Sequence, residues 1–128
     1  MTEPTWVSVT AAIAIHDRQI SRHGGAAGLR DRGLLEGAIA RPLNKWQYGV
    51  TDLFDLAAAY AFDIAKAQAF VDGNKRTALV SALSFLFANG RHVRHDTDAT
   101  VTAIEDLARD AMTEPAFAEW LRSGARPL

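Results

Sequence analysis

Apolar residues recur along this chain with the period of a helix, and the alternation expected of strands is rare. The pattern is clearest where Leu53, Leu56, Ala57, Tyr60, Ala61, Ile64 and Ala65 fall at i, i+3 and i+4 without a gap. Thr51 or Asp52 can cap that helix, and its end is expected near Gln68. Upstream, a first helix over Ser8 to Arg22 would turn Val9, Ala12, Ile13 and Ile20 inward and stop at Gly24-Gly25. The loop Gly24-Gly25-Ala26-Ala27-Gly28 leads to a second helix, capped by Asp31 and expected to end before Pro42. Leu43 to Val50 then read as a connector carrying Lys45, Trp46 and Tyr48. A fourth helix starts near Gly73 or Asn74 with Asp72 as its cap, buries Ala78, Ala82, Phe85 and Leu86, and closes at Asn89-Gly90. Asp96 or Asp98 opens a fifth, with Val101, Ile104, Leu107, Ala108 and Ala111 inward. Thr113-Glu114-Pro115 opens a sixth that docks through Phe117, Trp120 and Leu121 and ends at Gly124. The expectation is one all-α domain over residues 1–128, a compact bundle of about six helices with room for a small hairpin in a connector.

Composition narrows the function classes. The chain has 128 residues, 48% of them hydrophobic and 23% charged, as in an ordinary globular domain. A formal net charge of −1 supplies no global field to recruit nucleic acid. With no cysteine, disulfides and thiolate metal sites are excluded. No apolar run approaches the roughly 18 residues of a membrane span. Met1-Thr2-Glu3-Pro4 does not read as a secretory signal, so the expected location is the cytoplasm.

One segment breaks a local rule. The start of the fourth helix exposes unpaired N–H groups and carries a partial positive charge, yet Lys75 and Arg76 stand side by side in its first turn. Such conflicts concentrate at functional sites. An anion resolves this one, and phosphate is the obvious candidate. Gly73 would let a phosphate approach the backbone, Asn74 would add a side-chain donor, and Lys75 and Arg76 would hold phosphate oxygens. Each of these residues also has a plainer reading. Asp72 alone is most simply a helix cap, Gly73-Asn74 a turn, and Lys75 with Arg76 a solvated pair. Phe70 reads as a core anchor, His16 and His23 as structural, and the basic run Arg91-His92-Val93-Arg94-His95 as a solvated connector.

The stretch from Ala65 to Ala78, with Phe70-Val71-Asp72-Gly73-Asn74-Lys75-Arg76-Thr77 at its centre, resembles the signature of the Fic/Doc superfamily, and more narrowly its Doc toxin branch. The run from His16 to Ile20, His23-Gly24-Gly25, Gly28-Leu29-Arg30-Asp31, Leu34-Leu35-Glu36, Ala40-Arg41-Pro42 and Phe85-Leu86 ahead of Asn89-Gly90 also look like Doc. The resemblance implies transfer of part of a nucleotide to a protein hydroxyl. Most Fic proteins transfer AMP and carry a glycine where this chain has Lys75. Doc has lysine there, and it moves the γ-phosphate of ATP onto a translation elongation factor. The resemblance further implies Mg²⁺ on Asp72, an anion cradle at Gly73, Asn74, Lys75 and Arg76, and a small antitoxin whose tail folds onto the toxin. Trp46 and Tyr48 fall where Fic proteins carry a target-aligning flap, with ordinary packing as the equal alternative.

The chain departs from the family pattern at the motif histidine, which is Gln68 here. In the family that histidine is the general base. An amide can orient a hydroxyl but cannot take its proton, and loss of a general base costs about 10²–10⁴-fold in rate. The expected function is therefore a Doc-like kinase weakened at Gln68. The alternatives are a catalytically silent nucleotide- and antitoxin-binding module and an AMP-transferring Fic enzyme.

Overall fold

The computed structural model describes residues 2–127; Met1 and Leu128 lie outside the described residues. In chain order the elements are α1 (Val9–His23), α2 (Arg32–Gln47), α3 (Leu53–Ala67), α4 (Asn74–Ala88), β1 (His92–Val93), α5 (Thr97–Ala108), α6 (Glu114–Ser123) and β2 (Ala125–Arg126). The all-α expectation holds. A small two-stranded element is present, with β1 in the connector after α4 and its antiparallel partner β2 following α6.

The helix with the most regular apolar spacing forms the centre. From Leu56 to Ala61 every residue of α3 is buried, and α2, α4, α5 and α6 all pack against it. Ala57, Ala58 and Ala59 let neighbours approach closely on several sides, while Tyr60 and Ile64 fill the space between helices. Tyr60 tethers the N-terminal segment: its hydroxyl accepts from Val7 N–H at 3.0 Å and donates to the Val7 carbonyl at 3.3 Å. Trp6 then stacks on Phe85 and meets Trp46 edge-on, with ring centroids 5.7 and 6.0 Å apart.

Most caps are as expected. Ser8, Asp31, Asp52, Asp96 and Thr113 each accept a backbone N–H from the first turn of their helix. Apart from the cap of α4, treated below, three expectations are corrected. First, α2 does not stop before Pro42 but runs through it to Gln47. A proline inside a helix costs about 3 kcal/mol. Here its ring is buried, and the extra turn gains long-range partners that offset the cost. Lys45 Nζ donates to Glu114 at 2.8 Å, and Trp46 packs on Trp6, so Trp46 is a packing residue while Tyr48 stays exposed. Second, Val101 is 47% exposed and Ala111 lies beyond α5 in an exposed turn; the buried face of α5 is Ala103, Ile104 and Leu107. Third, the run from Arg91 to His95 is not wholly solvated. His95 stacks on Trp120 at 4.1 Å, and its Nε2 donates to the Trp120 carbonyl at 2.7 Å.

Candidate active site

The loop between α3 and α4 is held from three directions. Phe70 is buried and pairs with Leu29 in an isolated antiparallel bridge. The Arg30 and Asp31 N–H groups donate to the Ala69 carbonyl at 2.7 and 3.0 Å, and Val71 N–H donates to the Gly28 carbonyl at 3.0 Å. The glycine loop is thus clamped onto the loop that precedes α4. Asn74 closes the third side. Its Oδ1 accepts from Phe70 N–H and its Nδ2 donates to the Phe70 carbonyl, both at 3.0 Å. Among the described residues, one amide hydrogen and the backbone N–H of Asn74 have no acceptor.

Asp72 does not cap α4. The N-cap is Gly73, in the left-handed region at φ 76°, with no side-chain cap. That conformation places one extra residue between the carboxylate and the helix, and it turns Asp72 toward the glycine loop. Asp72 Oδ1 accepts from Gly73 N–H at 2.8 Å and Oδ2 from Ala26 N–H at 3.3 Å. Gly25 admits this arrangement, because a Cβ there would lie 2.7 Å from Asp72 Oδ2.

The helix start is therefore open. The first turn of α4 contains no acid, and the backbone N–H groups of Asn74, Lys75 and Arg76 find no acceptor among the described residues. Lys75 and Arg76 are exposed and make no ion pair among the described residues. The positive helix end and two cations thus share one cleft with the exposed Asp72 carboxylate, and neither cation is ion-paired among the described residues.

Gln68 is the C-cap of α3, left-handed at φ 47° and ψ 46°. Its carbonyl accepts from the Arg30 guanidinium, which fixes the end of the helix. Its side chain is exposed and makes no hydrogen bond among the described residues, so it is free to meet a ligand. Gln68, Asp72, Gly73, Asn74, Lys75 and Arg76 all line one open cleft of about 720 Å³. Sequence reasoning missed the facing wall, where Val101, Ile104, Glu105 and Arg109 of α5 and its C-terminal turn meet Leu79 of α4. Val101 fitted the apolar stripe of α5 and so read as core. Arg30 lay within a family-like stretch, but nothing in the sequence linked it to Gln68.

The donor set fits magnesium. Among the described residues no group of three or more His, Asp or Glu side chains could cage a metal. A cation here would have Asp72 as its protein carboxylate and take its other ligands from phosphate and water, which is how magnesium commonly binds beside nucleotides.

The Fic/DOC family model matches residues 6–86, a span that holds the glycine loop, Gln68 and the open start of α4. The chain belongs to the Fic/DOC family. Within that family it is similar to "Protein kinase doc" of Escherichia phage P1, 46% identical over 88 residues, which are 68% of this chain and 70% of that protein. It is also similar to "Toxin Doc" of Mycolicibacterium smegmatis, 44% identical over 96 residues, 73% of this chain and 68% of that protein. No helix among the described residues is long and apolar enough to cross a membrane.

Proposed function

We propose that this Fic/DOC chain is a Doc-type toxin that moves the γ-phosphate of ATP to a Ser or Thr hydroxyl of a translation elongation factor. The observation that carries the reading is the open start of α4, where unpaired N–H groups, Lys75 and Arg76 share a cleft with Asp72 and Gln68. That set answers a nucleotide phosphate: backbone donors and a forked guanidinium on its oxygens, and a lysine as a point charge. The names of two relatives, a protein kinase and a toxin, support the same choice. Lys75 supports γ-transfer over AMP transfer, because a long side chain stands where a second glycine would let the α-phosphate approach the backbone.

Asp72 would hold Mg²⁺, and when bound that ion neutralises charge on the phosphate oxygens. The chain's own residues do the positioning. The N–H groups of Asn74, Lys75 and Arg76 fix the phosphate at the helix end, and Gln68 accepts a hydrogen bond from the target hydroxyl and orients it. In a loose phosphoryl transition state the bond to the ADP oxygen breaks as the bond to the target oxygen forms, and the hydroxyl proton passes to the transferred phosphoryl group or to water. Positioning and charge stabilisation carry most of the acceleration, so transfer proceeds without a histidine but more slowly. The proposed partners are the elongation factor as target and a small antitoxin with a tail that folds on binding; the proposed location is the cytoplasm.

A second reading, a silent nucleotide- and antitoxin-binding module, is favoured by one residue: Gln68 in the place of a base. Incubation with ATP labelled separately at the α and γ positions, in a translation extract, separates the readings. The kinase reading expects γ label on protein. Label from the α position would mean AMP transfer, and no label with retained ATP binding would mean a silent module.

A further inference from the structure

His16 lies on α1 and is 1% exposed, yet it does not pack as an inert core residue. One ring face stacks on Phe70 at 3.8 Å and 7°. Nε2 lies 2.7 Å from the carbonyl oxygen of Asp72, a residue 56 positions away in sequence. A carbonyl only accepts, so Nε2 carries the hydrogen. The same ring backs Gly73, where a Cβ would sit 3.6 Å from it.

The geometry forms a short relay. The Asp72 carbonyl and the Gly73 N–H belong to one planar peptide, so fixing one fixes the other. The carbonyl is held by His16, and the N–H donates to Asp72 Oδ1 at 2.8 Å. The direction of the carboxylate is therefore set from α1 through a single peptide plane. The Ala26 N–H on Oδ2 completes the hold from the glycine loop.

We propose that His16 is a positioning residue for Asp72: by donating Nε2–H to the Asp72 carbonyl, it holds the carboxylate in the direction that receives the metal beside the helix start. The inference rests on the reading of Asp72 as the magnesium ligand. Hydrogen-bond partners that orient a ligating group are worth about 10–100-fold in metal affinity.

The test compares two variants by calorimetric titration of ATP with and without Mg²⁺. His16→Phe keeps a ring against Phe70 but has no donor. His16→Gln loses the ring but carries an N–H₂ near the position of Nε2. The expected result is that His16→Phe loses about tenfold or more of the magnesium-dependent gain in ATP affinity, while metal-free ATP binding is unchanged and His16→Gln recovers most of the gain. An undiminished gain in His16→Phe overturns the inference, as does equal impairment in both variants, which would make the residue a matter of packing. Asp72→Ala is the control. If the wild-type gain is absent or insensitive to Asp72→Ala, the reading of Asp72 fails and takes the inference with it; failure of the inference alone leaves that gain intact. Should His16→Phe not fold, ¹⁵N spectra of the wild-type imidazole decide. The Nε2–H tautomer with an Nε2 resonance that moves on adding Mg²⁺-ATP supports the role, and the other tautomer or an unmoved resonance contradicts it.

Discussion

A glutamine and a histidine can reach the same hydroxyl from one backbone position, but only the histidine can take a proton near pH 7. Gln68→His is therefore expected to raise the transfer rate about 10²-fold or more, and with it growth inhibition in a bacterial host. Comparable rates from both forms would mean that proton removal is not limiting. Asp72→Ala is expected to cost little stability, because among the described residues the carboxylate bonds only to Gly73 and Ala26 on the surface and does not cap α4. A loss of up to about 1–2 kcal/mol in denaturant melts, beside a tenfold or greater loss of Mg²⁺-ATP affinity, is the predicted pattern. An unchanged affinity would leave Asp72 with a structural role alone. Residues were legible in the sequence where they broke a local rule. Lys75 and Arg76 stood out because cations oppose the helix dipole. Asp72 looked like a cap because the left-handed turn at Gly73 could not be foreseen. His16 was read as structural with no link to Asp72, because its partner comes from another helix and nothing local marks the pair.

Elements were legible where periodicity and caps agreed, as in α3 and α6. They failed where tertiary gain overrode a local preference. Pro42 lies inside α2 because the next turn brings Lys45 to Glu114 and Trp46 to Trp6. Val101 fitted the stripe of α5 but faces the cleft. The glycine loop between α1 and α2 was visible as a break, but its use was not. It wraps the Asp72 carboxylate, and Gly25 stands at φ 111° with no room for a Cβ beside Asp72 Oδ2. Gly25→Ala is predicted to displace Asp72. Magnesium-dependent ATP affinity should fall about tenfold or more, with a stability loss of about 1–2 kcal/mol from the strained conformation. Retention of that affinity would show that the loop yields without moving the carboxylate.

At the scale of the molecule, α2, α3 and α6 are tied by a charge network away from the cleft. Arg41 bridges Asp63 at 3.1 Å and Glu114 at 2.8 Å, and Lys45 shares Glu114. Burial pushes the Asp63 carboxyl up to about 6, against the opposing pull of Arg41. A folded-state value above the unfolded one means that the contribution of Asp63 to stability is full below about 3.8 and is lost as pH rises through about 6. Asp63→Asn should remove that loss. Relative to wild type it should gain about 1–3 kcal/mol between pH 4 and 7.5, measured as the difference of two denaturant series. A pH-independent difference would contradict the burial argument. The all-α architecture was legible because helical spacing covers nearly the whole chain. The cleft was legible where the end of α3 meets the start of α4, through Gln68 and the residues from Asp72 to Arg76; its other wall comes from α5, whose residues carry no local mark of a site. The central claim, γ-phosphoryl transfer to an elongation factor, is tested most directly by the intact mass of that purified factor after incubation with this chain, ATP and Mg²⁺. The account predicts a mass gain of one phosphoryl group, located on a Ser or Thr. A gain of one AMP, or an unchanged mass while ATP is bound, would contradict it.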